Sequence, residues 1–439
     1  MRSVLVLLAC SLGSPVAAGA NGHDAPPAST AAGPAPVIGG SNAAAGKWPD
    51  VAAVLFPLRT GDQADCTGTL IAPTVVLTAG HCYAAIDPPL PDNVLIGTSS
   101  LARPSEGETI GVLRGIVFPD ADSSVDVAVL VLARASTRAP RALATGWARV
   151  DIVNGAAVSL VGFGATNKDG DVFVDELQEA STTITDFACQ TSSGCHPAAL
   201  PAGELGAGGM GVDTCPGDSG GPLYLMTSYG AFLAGVTSRS YDDATFTCSQ
   251  GGIYERPDKV VDWIEAVAGV PVARGPEPAA APIIAVRGDA GETQIDVNDP
   301  RSTGHRFEIT MPPGHGTAKV RGDGAVRVCT DPTAAPGDDA LVVTITDTKH
   351  AGRALPIAIQ IQITDGAAAA SCDFAGFDDA GGCCDSGGAG GSGAAIPLAI
   401  GIVALVRRRG RQPRSPANGS TSFSASPSLR TSEPSGRLA

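Results

Sequence analysis

Charge is scarce in this chain, and positive charge scarcer still: of 439 residues 17% are charged, and 29 Lys and Arg face 44 Asp and Glu, a net charge of -15. A surface of that sign repels phosphate backbones, which argues against nucleic acid as a partner and suits cationic substrates. So few charges cannot clothe long exposed helices, and 56 glycines with 34 prolines would interrupt them. Turn-rich, all-β structure is expected instead. Histidine is rare, at six, and no Cys/His cluster has zinc spacing, so no structural metal and no cofactor are expected.

Long apolar runs are missing too. Ala394–Val406 is apolar for thirteen residues, about 20 Å as a helix against a hydrocarbon core of about 30 Å. Arg407, Arg408, Arg409 and Arg411 follow it, which favours a cytoplasmic C-terminus with the folded parts outside. At the other end Arg2, the apolar stretch Val4–Ala9 and the small residues Ala18 and Ala20 read residues 1–20 as a signal peptide. Leu7-Leu8-Ala9-Cys10 offers a lipoprotein site as the alternative. Either route exports the chain, and an oxidising compartment makes the remaining ten cysteines disulfide candidates.

Between these ends composition divides the chain. Residues 21–36 are small, polar and Pro-rich, a spacer or propeptide without core-forming residues. From 37 to 269 short apolar stretches such as VAAVLF, TVVLTA, DVAVLVL and FLAGVTS recur between turn signals, predicting many short strands, and DKVVDWIEAV closes the unit with a helix. The Pro/Ala stretch at 270–282 reads as a linker. QIDV, RFEIT, AVRV, LVVTITD and IAIQIQIT within 283–365 alternate with period two, predicting a small β-sandwich for spacing or adhesion. A Gly/Cys-rich linker (366–393), the apolar helix with its Arg cluster (394–411) and a disordered tail (412–439) complete the chain.

Chemistry concentrates in CPGDSGGPL. A serine hydroxyl is a poor nucleophile alone and needs a base and donors for the oxyanion formed on attack. Ser219 is the candidate, with the N–H groups of Gly217 and Ser219 as donors that flanking glycines leave accessible. Of the six histidines, His81 in LTAGHC ends an apolar strand, and Cys82 can pair with Cys66 to staple it. Asp126 heads DVAVLVL, where a buried carboxylate is costly unless paired, whereas Asp120 and Asp122 sit in a polar loop. The order His, Asp, Ser is the one known for chymotrypsin and differs from subtilisins and α/β-hydrolases.

VIGG at Val37, LTAGHC, DVAVL and GDSGGPL together resemble the chymotrypsin and trypsin family over residues 37–269. The resemblance implies two antiparallel six-stranded β-barrels with His81 and Asp126 from the first, Ser219 from the second, and peptide hydrolysis through an acyl-enzyme. It further implies that Asp213 lies at the base of the primary pocket and selects Arg or Lys, with Ser238, Ser240 and Gly252 also binding substrate. Ser240 stands where a second wall glycine is usual. Disulfides Cys215–Cys248 and Cys189–Cys195, joining Cys66–Cys82, and activation through pairing of a freed Val37 amine with Asp218 are implied as well. Pro36 is not a tryptic cleavage residue, so another peptidase would do the cutting. The strands after the linker resemble immunoglobulin- and cadherin-like modules. The cysteine, helix and arginine order near the end resembles the sorting signals called MYXO-CTERM, with Cys383 or Cys384 as attachment point to a membrane or cell surface. The alternative is that Cys372, Cys383 and Cys384 form disulfides. A monomeric, extracytoplasmic endopeptidase acting on proteins or peptides is therefore expected. An inert binding scaffold and an esterase are the other functions weighed, and the complete triad and the residue order speak against them in turn.

Overall fold

A computed structural model describes residues 37–377 apart from 59–60, 84–89, 120–124, 197–202, 351 and 369–371. The predicted signal peptide, propeptide, apolar C-terminal helix, Arg cluster and tail all lie outside the described residues. Among those described, no helix is long and apolar enough to cross a membrane.

After a short β1 (Ser41–Asn42), the first barrel uses β2 (Val51–Leu58), β3 (Gly61–Ala72), β4 (Val75–Thr78), β5 (Asn93–Ile96), β6 (Glu108–Val117) and β7 (Ala128–Leu132). It closes in the order β2-β3-β4-β7-β6-β5. Closure removes the unpaired edges that short strands would otherwise expose. Val54, Leu70, Val76, Val94, Ile110 and Leu130 meet inside it.

Helix α1 (Gly146–Arg149) leads into the second barrel. Its strands are β8 (Ala157–Gly162), β9 (Gln178–Asp186), β10 (Glu204–Ala207), β11 (Pro222–Thr227), β12 (Gly230–Ser240) and β13 (Gly252–Glu255). They run β9-β10-β13-β12-β11-β8, the β8–β9 pairing closes the ring, and β1 adds to β9 outside it. All pairings in both barrels are antiparallel. Trp48 stacks on Tyr224 at 4.6 Å between the barrels, in a shared core with Leu77, Val127, Phe163 and Leu233.

The predicted closing helix is α2 (Val261–Ala268), ended by Gly269 in a left-handed conformation at φ 74°. It turns its apolar face back to the first barrel, where Trp263 meets Phe118 edge-on at 4.9 Å.

Then come β14 (Ala279–Ala280), β15 (Ile283–Val286), β16 (Ala290–Asp296), β17 (His305–Met311), β18 (Gly316–Val320), β19 (Ala325–Thr330), β20 (Gly337–Asp347) and β21 (Ala354–Thr364). Two four-stranded sheets, β14-β16-β19-β18 and β15-β21-β20-β17, form the sandwich. The stretch that composition marks as a linker is held by hydrogen bonds: Ala273 accepts from Leu143 and donates to Ile71, and Pro276 accepts from Trp147. A Cβ on Gly146, at φ 53°, would come within 2.2 Å of the Pro276 carbonyl, so only glycine admits this approach.

Trp147 leaves the barrels and completes the sandwich core, fully buried among residues that include Ile295, Val326 and Ile345. Its indole N–H donates to Val297 O at 2.7 Å, and the Arg353 guanidinium lies over its ring at 5.1 Å. Beside it Asp151 takes Arg353 and Arg301 on Oδ1 and Tyr229 on Oδ2, each at 2.8 Å. Pro and Ala carry no pattern that reports such contacts, because the linker's partners are backbone groups far away in sequence. The same compact unit therefore holds both barrels and the sandwich.

Candidate active site

His81 follows β4 and Asp126 precedes β7, two strands paired antiparallel with Thr78 opposite Ala128. That register brings residues 45 apart in sequence together: Asp126 Oδ2 lies 2.7 Å from His81 Nδ1, and Oδ1 accepts the His81 backbone N–H at 2.7 Å. Ser238 Oγ donates to the same Oδ2 at 2.8 Å. Burial pushes the Asp126 carboxyl up, but the hydrogen bonds and charge of His81 with the Ser238 bond outweigh it and hold it below its ordinary value. An imidazole anchored at Nδ1 presents Nε2 as the base.

Ser219 sits in the turn before β11. Gly220, at φ 79°, faces the first barrel so closely that a Cβ would meet Thr78 Oγ1 at 2.0 Å and Thr67 O at 2.4 Å. Thr67 N donates to Ser219 O at 2.8 Å, and Cys82 Sγ lies 3.6 Å from that oxygen. The second barrel thus presses its turn against the two strands that carry His81, and the Cys66–Cys82 disulfide ties those strands to each other. Ser219 Oγ hydrogen-bonds no group among the described residues. In unliganded sites such a bond often tightens only when substrate excludes water.

Gly217 has φ 95°, and a Cβ there would come within 2.9 Å of Gly164. Thr67 Oγ1 holds its carbonyl at 2.8 Å. Among the described residues nothing accepts a hydrogen bond from the N–H of Gly217 or Ser219.

Asp213 is buried, and its carboxylate is ringed by the N–H groups of Thr214 at 2.8 Å, Gly251 at 3.0 Å and Gln250 at 3.1 Å. Burial outweighs those bonds and pushes it up to about 6, and no cation pairs with it among the described residues. A side chain on Gly252 would begin 3.5 Å from Asp213 Oδ1. Ser240 pairs with Gly252 across β12 and β13, and its hydroxyl is tied to Thr247 O at 3.0 Å, on the loop that the Cys215–Cys248 disulfide closes. Cys189–Cys195 closes the neighbouring loop.

Asp218 is fully buried beneath the serine turn, accepting from Gly164 N at 2.8 Å and Cys215 N at 2.9 Å. Burial pushes it up to about 7, again with no cationic partner among the described residues. Val37 is buried in the second-barrel core, and the next residue, Ile38, accepts the Asp213 N–H at 3.3 Å.

Two pairings escaped the sequence. The Ser238 hydroxyl bonds Asp126. Cys329 pairs with Cys372, stapling the segment after β21 to β19. Neither pairing has a local sequence signal.

Two closed six-stranded barrels, with an acid–imidazole pair from one facing a glycine-walled serine turn from the other, define a serine hydrolase of the double-barrel class. The trypsin family profile matches residues 37–264, and the chain belongs to that family as a trypsin-like serine endopeptidase that hydrolyses peptide bonds. It is 32% identical over 228 residues to a trypsin of Saccharopolyspora erythraea, covering 50% of this chain and 92% of that one. It is 27% identical over 243 residues to chymotrypsin-like elastase family member 1 of Bos taurus, covering 52% and 88%. It is also 33% identical over 220 residues to glucanase inhibitor protein 3 of Phytophthora infestans, covering 48% and 80%.

Proposed function

We propose that the chain is a secreted or surface-attached monomeric endopeptidase that cuts after Arg or Lys. The observation that carries this specificity is the buried Asp213 carboxylate, which has backbone donors and, among the described residues, no counter-charge. A guanidinium or ammonium from substrate supplies that charge. In the reaction, Ser219 Oγ attacks the carbonyl carbon while His81 Nε2 takes its proton, and Asp126 stabilises the imidazolium. The carbonyl oxygen becomes an oxyanion between the N–H groups of Gly217 and Ser219. The C–N bond then breaks as His81 returns the proton to the departing amine, and water, deprotonated by His81, releases the acyl group.

The relatives are named as trypsin, elastase and inhibitor, so the pocket chemistry has to be tested directly. Peptide amides with Arg or Lys at the cleaved position are expected to outpace Phe and Ala peptides, and Asp213→Ser is expected to lower kcat/KM for the Arg peptide about 10²–10³-fold. Equal rates for the four peptides would remove the specificity.

Activation by cleavage before Val37 fits the same site, since the freed amine would give Asp218 a cation. In the precursor the raised Asp218 favours the folded state below about pH 4, and that stabilisation is lost as pH rises through about 7. The paired carboxylate of the cleaved form loses nothing there. Calorimetry is therefore expected to show the cleaved chain gaining on the precursor by on the order of 2–4 kcal/mol between pH 5 and 8. Parallel stability curves would exclude the pairing. Residues 1–20 as export signal and the Cys383 or Cys384 region as attachment point complete the proposal, and both rest on the sequence.

A further inference from the structure

Glu204 on β10 and Glu255 on β13 stand directly opposite each other in register, and both are buried. Like charges so placed repel across a sheet, and burial raises the cost of each. One guanidinium serves the pair. Arg239 Nη2 lies 2.9 and 3.0 Å from the two Glu204 oxygens and 2.7 Å from Gly194 O, while Nη1 lies 3.9 Å from Glu255 Oε1. Neither Glu255 oxygen has a hydrogen bond of normal geometry among the described residues. The groups facing Glu255 are Glu204, Asp126 and Arg239. Burial and the facing Glu204 carboxylate push Glu255 up to about 9, so at neutral pH it keeps its proton and the three side chains sum to no net charge.

The cluster meets Asp126 in two ways: Glu255 faces it directly, and Arg239 reaches it through Ser238. Arg239 Nη1 donates to Ser238 Oγ at 3.3 Å, and Ser238 Oγ donates to Asp126 Oδ2 at 2.8 Å. A guanidinium can only donate, so it fills a lone pair of the hydroxyl and directs the Ser238 proton onto Asp126.

We propose that Arg239, held between Glu204 and Glu255, is a positioning residue for Asp126, and that the net charge of the three side chains acts through it on the imidazolium formed at His81. The proposal rests on the peptidase reading of His81, Asp126 and Ser219. An added positive charge opposes the imidazolium and frees the base at lower pH, and an added negative charge does the reverse. Because a single Glu204→Gln variant leaves a second carboxyl beside Arg239, the informative variant is Glu204→Gln with Glu255→Gln, which leaves Arg239 uncompensated.

The test is kcat/KM against pH for an arginyl peptide amide, using the full chain cleaved before Val37, with a fluorophosphonate label counting Ser219. The double variant is expected to move the acid limb down by roughly half a pH unit. Adding Arg239→Gln to it returns the limb to the wild-type position, and Arg239→Gln alone moves it up. The limb's position does not depend on how much protein folds, and a purely structural role would lower rates without moving it. Coincident limbs in a labelled, active enzyme overturn this inference alone. A wild type that fluorophosphonate does not label overturns the peptidase reading and this inference with it.

Discussion

Ser219→Ala is expected to lower kcat/KM for an arginyl peptide amide by about 10⁶-fold while leaving the fold intact. The alanine removes only the nucleophilic oxygen. The turn that carries it is fixed by Gly220 against Thr78 and by the Thr67–Ser219 backbone bond, neither of which involves the side chain. Melting should therefore shift by less than about 0.5 kcal/mol. The free N–H groups of Gly217 and residue 219 remain, so a residual rate above that of water persists. Fluorophosphonate labelling should vanish with the activity. A variant retaining a tenth of the wild-type rate would show that another residue attacks. A wild type cleaved before Val37 and still inert to the label would favour a binding role.

The second large effect is expected far from that chemistry. Trp147→Ala should cost about 3–5 kcal/mol, because the fully buried indole is a large part of the sandwich core. The change also orphans the Val297 carbonyl and strips the ring from beneath Arg353. In calorimetry this should appear as a fall of on the order of 10 °C in a single transition shared by barrels and sandwich. Ending the chain at residue 282 should expose the same indole, with a red shift in its fluorescence and loss of soluble protein. A truncated chain melting like the full one would mean that the sandwich is only an appendage.

The contrast between those two residues shows what the sequence carries. Ser219 and His81 announce themselves because strained turns admit few residues, so glycines and short motifs surround them. The strands are legible for a related reason, since burial on one face imposes period two, as in IAIQIQIT, now β21. Trp147 has no such frame. Nothing in TGWAR indicates a destination about 150 residues downstream, and the Pro/Ala stretch hides its tertiary hydrogen bonds because their partners are backbone atoms. Arg239, Glu204 and Glu255 are equally silent: three ordinary charged residues whose meaning appears only when β10, β12 and β13 align them. Cys329 reads as one more strand residue until the chain beyond β21 returns to it.

That return also fixes how the molecule bears load. Tension on the chain beyond Phe377 meets Arg327, which holds the Asp373 and Ala375 carbonyls, and the Cys372–Cys329 bridge, both of which pass it into β19. Because β19 lies between β16 and β18, the pull is shared by the two ladders of hydrogen bonds in that sheet and does not fall on β21 alone. If its far end is tethered, the enzyme is therefore gripped through the middle of its sandwich, and a strain arriving there is spent in shear before it reaches the cleft between the barrels.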